Sequence, residues 1–275
     1  MNSPNMRYGF VLPGGTAPEQ LELAMLAEQA GWDGIFVWEA AFGVDAWALL
    51  SAIAVRTNRI KLGTMLTPLP WRRPWKVASQ VATLDQLSGG RAILAAGVGA
   101  TDTYLPSTGE NNDLRDRAER LDEGIDLIRA LWEGRTSYHG KHYHYETGRM
   151  DLTRMAGPVQ RRIPIWVVAV WPRPKSMRRV LRCDGIIPQY GGEGRPADVV
   201  ELRAWLTEHG ATPGLDVISD GQTPALDHAA AVATVAPWAE AGCTWWLETR
   251  WEMPHDSGER LHQTRERLTA GPPRA

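Results

Sequence analysis

The sequence predicts a single α/β domain over residues 1–275, folded as a (β/α)8 TIM barrel. Three observations carry this prediction. Short apolar runs alternate with amphipathic segments along the whole chain, roughly eight of each, which is the count of a closed barrel. The runs are apolar on both faces, as parallel strands covered by helices should be. A chain of 275 residues with no linker and no shift in composition suits one barrel. A doubly wound open sheet alternates in the same way, but length and strand count favour the barrel.

The elements follow in order. Residues 8–12 (YGFVL) form a short apolar run stopped by Pro13, Gly14 and Gly15, punctuation expected after a buried strand. Residues 18–30 read as a helix, with Pro18 at its start, Glu19 and Glu22 early, and Leu21, Ala24 and Met25 on one stripe. Gly31 ends it and residues 34–38 form a second strand. Asp45 caps a helix over 45–57 whose inner face is Leu49, Ile53 and Ala54. A third strand follows Arg59 and ends at Thr67-Pro68. Residues 74–87 are helical, Ser88-Gly89-Gly90 turns, and 91–96 is the fourth strand. Leu121, Ile125, Ile128 and Trp132 repeat at helical spacing. Later strands are expected at 163–170 and 185–188, with weaker ones at 215–219 and 243–249. Helices are expected around 197–208, 225–241 and 257–268.

Bulk composition narrows the function. The formal charge is −2, with 30 basic and 32 acidic residues, so nothing favours nucleic acid or a membrane surface as partner. Two cysteines, Cys183 and Cys243, lie far apart and make neither a disulfide framework nor a zinc site. No apolar run approaches the ~20 residues of a membrane helix, and the N-terminus lacks a signal-peptide pattern. A cytoplasmic protein with a small-molecule substrate is expected. The chain holds 13 Trp against 3 Phe, and indole suits the wall of a pocket for a planar ligand.

The segment 84–99, LDQLSGGRAILAAGVG, ends on Gly97-Val98-Gly99 just past the fourth strand, on the face where barrels carry function. A dinucleotide fingerprint needs a third glycine, but that position is Asp102, and the next helix begins only near Asp113. The two glycines therefore mark a place where the backbone passes close to a neighbouring loop or a flat ligand.

The run from Asp45 to Thr64, then Pro68, Arg73-Pro74, Ala78, the stretch ATLDQLSGGR at 82–91 and Gly97-Val98-Gly99 together resemble the bacterial-luciferase-like flavin-dependent oxidoreductases. Arg120-Leu-Asp-Glu-Gly124, Leu131-Trp132, the Gly140 region, Ile163-Pro-Ile-Trp166 and Cys183-Asp-Gly185 extend the likeness, which covers roughly residues 6–190. The resemblance implies a flavin or deazaflavin bound at the C-terminal ends of the strands. It also implies a non-proline cis peptide after the third strand, at Met65-Leu66, beside Thr64. Gly97 and Gly99 then become positions where the chain clears the ring.

A flavin mononucleotide brings a phosphate, and the stretch 171–178 (WPRPKSMR) opens a helix after the fifth strand. Trp171, Arg173, Lys175 and Ser176 are its candidates for cofactor binding, although a solvated basic helix start reads equally well. Trp38 and Glu39 end the second strand and are the catalytic candidates. Many relatives carry an acidic residue followed by histidine there; here Ala40 follows, so that histidine's role is not carried over. Glu39 transfers protons if burial raises its pKa, and holding a loop in place is an equal reading of it. Trp71, Arg72, Tyr104, Gln189, Tyr190, Arg250 and Trp251 are substrate-pocket candidates by position alone. His139, His142 and His144 have a metal-like spacing but fall between a helix and the next strand, on the wrong face, and read as a solvated hairpin with no metal.

The expected activity is oxygenation of a small organic substrate by reduced FMN and oxygen, with a separate flavin reductase and a homodimeric assembly. Hydride transfer by the deazaflavin coenzyme F-420 is the alternative, and a non-catalytic flavin-binding barrel is a reading of another class.

Overall fold

The computed structural model describes residues 6–100, 109–148, 156–251 and 254–274. Eight parallel strand positions close into a barrel: β1 (Arg7–Leu12), β2 (Gly34–Val37), β3 (Lys61–Thr64) continued by β4 (Thr67–Pro68), and β5 (Ala92–Gly97). The antiparallel hairpin β6 (Ser137–His139) and β7 (His144–Glu146) lies outside it. The barrel resumes with β8 (Ile165–Val170), β9 (Gly185–Gln189), β10 (Asp216–Gly221) and β11 (Trp245–Glu248). Closure comes from β11 pairing with β1 and from β5 pairing with β3, β4 and β8. The helices are α1 (Ala17–Gln29), α2 (Ala46–Ala54), α3 (Pro74–Ser88), α4 (Leu114–Trp132), α5 (Pro174–Val180), α6 (Pro196–Glu208), α7 (His228–Ala241) and α8 (Ser257–Thr269).

The strands and helices stand where the sequence places them, with shifts at their ends. α4 starts at Leu114 because Asp113 accepts a hydrogen bond from the Asp116 amide at 2.7 Å. α7 starts three residues later than expected because Asp227 caps it, accepting from the Ala230 amide at 2.9 Å. The third strand is interrupted by a cis peptide bond at Met65-Leu66, the position the family resemblance implies.

The LDQLSGGR stretch builds the closed end of the barrel. Gly89 adopts φ +64° and stops α3, which turns the chain into β5. Arg91 is buried and donates to the carbonyls of Ser88 (2.8 Å), Ile60 (2.8 Å), Ala54 (2.7 Å) and Thr57 (2.8 Å), and to the Thr57 hydroxyl (2.9 Å). It thereby satisfies carbonyls that the end of α2 and the following turn would otherwise leave orphaned. Asp85, fully buried, accepts from the backbone and side-chain nitrogens of Gln160 at 2.8 and 2.7 Å and anchors the approach to β8.

The barrel interior is filled by three rings. Phe36 stacks on Trp166 at 5.3 Å, and Trp245 meets Trp166 edge-on at 5.2 Å. Space for them comes from glycine: a Cβ on Gly185 would lie 2.3 Å from the Trp166 ring, and one on Gly34 2.9 Å from Phe36. Large and small residues alternate across facing strands, which fills the barrel without voids. A second apolar layer, including Leu23, Leu50, Ile53, Val81, Ile125 and Leu202, packs the helices onto the outside of the strands.

Truncating the clamp tests this account. Arg91→Ala leaves several buried carbonyls without donors and should cost about 3 kcal/mol or more, read as a lower urea midpoint at unchanged slope. Gly185→Ala should destabilise by about 1–3 kcal/mol through overpacking against Trp166.

Candidate functional site

The C-terminal ends of the strands surround a cavity of about 800 Å³, with Met65, Leu66, Val98, Val168, Val170 and Ile187 among its apolar walls. Trp38 and Trp251 stand at its rim, 49% and 58% exposed. Two further cavities adjoin it, all three sharing Val170 and Gln189. One, of about 760 Å³, holds Tyr190, the Gly191–Gly194 turn and Asp220; the other, of about 910 Å³, runs between the starts of α4 and α5.

Glu39 lies at the base of the main cavity with both oxygens occupied. The Thr67 hydroxyl donates to Oε2 at 2.7 Å, and Arg72 Nη1 pairs with Oε1 at 2.9 Å. Because Thr67 gives its proton to Glu39, it accepts from Thr64, whose hydroxyl lies 2.9 Å away. Thr64 and Thr67 flank the cis Met65-Leu66 bond, so this hydroxyl pair ties its two ends together. Burial raises the Glu39 pKa, and the Arg72 guanidinium opposes that rise.

The glycine loop has a neighbour other than a ligand. Gly99 adopts φ +81°, and a Cβ there would fall 2.1 Å from the Trp71 ring. Arg117 covers the other side of Trp71 at 5.0 Å and donates to the carbonyls of Val98 and Gly99 at 3.2 and 3.1 Å. A Cβ on Gly97 would meet Leu66 at 3.1 Å. Gly99 is thus required by Trp71 and Gly97 is tightly packed against Leu66, before any ring arrives. Trp71 donates Nε1 to the Asn111 carbonyl and holds the loop, while Arg72 sits behind Glu39; neither lines the cavity.

The other candidates separate by role. Gln189 borders all three cavities, Arg173 two of them, and Lys175 and Ser176 the α4–α5 trough. Ser176 Oγ accepts from the Val170 amide at 2.9 Å and so fixes the start of α5. Trp171 packs edge-on against Trp205 at 6.3 Å and precedes a cis proline, away from the cavities. Tyr190 lines the smaller cavity with its hydroxyl buried and unpartnered among the described residues. Arg250 Nη1 reaches the Gln263 carbonyl at 3.5 Å. Tyr104 lies outside the described residues.

Two cavity residues escape sequence reading. Asp220, at the end of β10, lines both the main and the smaller cavity; it opens onto the cleft, yet the surrounding walls desolvate its carboxylate and raise its pKa. Inward alternation from Ile218 would have found it. Arg117 carries no such signal, since its helix reads as a charged face. In the hairpin, His142 bonds Glu119 at 3.1 Å and His139 pairs across from His144. Among the described residues no cluster of metal-binding side chains occurs, and no helix is long and apolar enough to cross a membrane.

Arg173, Lys175 and Arg178 border the trough and make no ion pair among the described residues; of its three acids Glu119 and Asp122 are paired with Lys141 and Arg179, and Asp113 caps α4. An apolar slot joined to uncommitted positive charge fits a planar ring with an anionic tail.

The chain matches the family model of luciferase-like monooxygenases over residues 5–272. It is 33% identical over 211 residues to a Mycobacterium tuberculosis (strain H37Rv) protein named provisionally as a coenzyme F420-dependent oxidoreductase, covering 73% of this chain and 59% of that one. It is 32% identical over 203 residues to an F420-dependent glucose-6-phosphate dehydrogenase of Nakamurella multipartita, covering 70% and 58%. The chain therefore spans less than two thirds of the length of these relatives. An F420-dependent secondary alcohol dehydrogenase shares the fold with a TM-score of 0.76 at 17% identity, over 97% of this chain and 99% of that one.

Removing the cation behind Glu39 gives a signed test. In Arg72→Met the buried carboxylate loses its partner, which should cost about 1–3 kcal/mol at neutral pH. The deficit should shrink as pH falls through the raised Glu39 pKa, because the protonated acid needs no cation. Denaturant titrations of both proteins across pH 4–8 measure it.

Proposed function

The chain belongs to the luciferase-like monooxygenase family, and from that premise we propose that it is an oxidoreductase passing a hydride between coenzyme F420 and a small organic alcohol or carbonyl compound. The observation that carries the cofactor assignment is the identity of the relatives: those sharing about a third of their aligned residues are named for F420. This supports the deazaflavin alternative over the expected use of reduced FMN and oxygen, and the separate flavin reductase belongs only to that other reading.

Bound at the mouth, the deazaflavin supplies hydride exchange without oxygen. The protein's contribution is placement. Met65, Leu66 and Val168 offer a flat apolar wall, and the Thr64–Thr67 hydroxyl pair holds that wall in place. Arg173, Lys175 and Arg178 face the trough in which the coenzyme's long anionic side chain would lie. Walls of this kind exclude water from the face where hydride moves.

Equilibrium dialysis against purified F420 and FMN tests the assignment. F420 should bind at least tenfold more tightly than FMN, and the Arg173→Glu/Lys175→Glu double variant should lose at least tenfold in F420 affinity. Tighter FMN binding, with oxygen consumed by the reduced complex, would overturn it.

A further inference from the structure

Two carboxylates reach the main cavity, and their surroundings differ in a way that divides the work. Glu39 is tied on both oxygens, Oε2 by the Thr67 hydroxyl and Oε1 by the Arg72 guanidinium. Asp220 has no ion pair among the described residues; the Thr249 hydroxyl donates to its Oδ2 at 3.1 Å, and the Trp251 side chain is a second hydrogen-bond neighbour. β10 directs it inward above Ile218, so it stands where the main and smaller cavities meet. The ionisable groups lining the two cavities around it are Glu39, Arg117, Arg173, Tyr190 and Glu193, and the adjoining β11 segment adds Cys243, Glu248 and Arg250. Arg117 is already committed to the Val98 and Gly99 carbonyls. The position after Glu39 is Ala40 and offers no proton carrier.

We propose that Asp220 is the residue that exchanges a proton with the substrate oxygen, and that its charge selects uncharged substrates over phosphate esters. The assignment rests on the hydride-transfer reading above. In the oxidising direction, Asp220 would accept the substrate hydroxyl proton, and bound deazaflavin would supply the acceptor for the hydride, so that the alcohol loses both hydrogens and becomes the carbonyl. In the reducing direction, protonated Asp220 returns the proton to the carbonyl oxygen as the hydride arrives. Burial favours the neutral acid, so the residue can hold a proton at higher pH than a surface aspartate. Glu39 is then a positioning residue that anchors the segment around the cis bond. The side chains facing this cavity are chiefly apolar, and the Asp220 carboxylate, when ionised, disfavours an anionic substrate beside it.

The test has an arm independent of turnover. In protein labelled at aspartate Cγ, the carbon-13 signal missing from Asp220→Asn should titrate above the surface aspartates and shift when F420 is added. Asp220 titrating with the surface aspartates would overturn the proposal. With F420 and a series of secondary alcohols from 2-propanol to cyclohexanol, Asp220→Asn should lower kcat about 10²–10⁴-fold. KM should change less than threefold, and Asp220→Glu should recover part of the loss. Glu39→Gln should keep the pH profile of the parent. Asp220→Asn with an unaltered pH profile, or faster turnover of glucose 6-phosphate than of any alcohol, would also sink the assignment. Absence of hydride transfer to bound F420 with every substrate would instead refute the proposed function, while the carbon-13 titration still judges Asp220.

Discussion

One buried guanidinium holds the closed end of this barrel together. Arg91 donates to four backbone carbonyls and a hydroxyl drawn from the end of α2, the turn before β3 and the end of α3. Fixing those three segments fixes where β3 and β5 start, and strand length then determines where Met65 and Gly97 emerge at the other end. The most family-specific stretch of the sequence therefore serves architecture. It touches no cavity in the mouth, yet the mouth depends on it.

At that mouth, polar groups are spent largely on holding the chain. Thr64, Thr67, Glu39 and Arg72 form one line of hydrogen bonds behind the cavity wall, and Trp71, Gly99 and Arg117 form a second. A site built this way is preorganised: its walls need no rearrangement to accept a flat ligand. The arrangement also explains why so few side chains remain uncommitted inside the cavity.

Much of the fold was legible because it rests on local rules. Apolar periodicity, capping aspartates and glycine stops located the strands and helices to within a few residues. The cis bond at Met65-Leu66 was legible only through family likeness, since neither residue type announces it. The pairings that define the site were not legible at all. Nothing near Glu39 indicates that Arg72 will reach it, and nothing near Gly99 indicates that Trp71 will fill the space beside it. These contacts are products of barrel closure. Asp220 was within reach, because the inward step from Ile218 points to it, but its weakly patterned strand drew attention away. The choice between flavin and deazaflavin is harder still: the two rings differ by a single atom, and a mostly apolar wall accommodates both.

The Phe36, Trp166 and Trp245 rings make the barrel a blind well. These rings fill the barrel interior below the mouth, so a ligand that enters the mouth leaves by it. If the coenzyme ring takes the deeper berth against Leu66 and Val168, the second reactant has to arrive after it and depart before it. Traffic would then be sequential, last in and first out, imposed by three aromatic side chains that never touch a reactant.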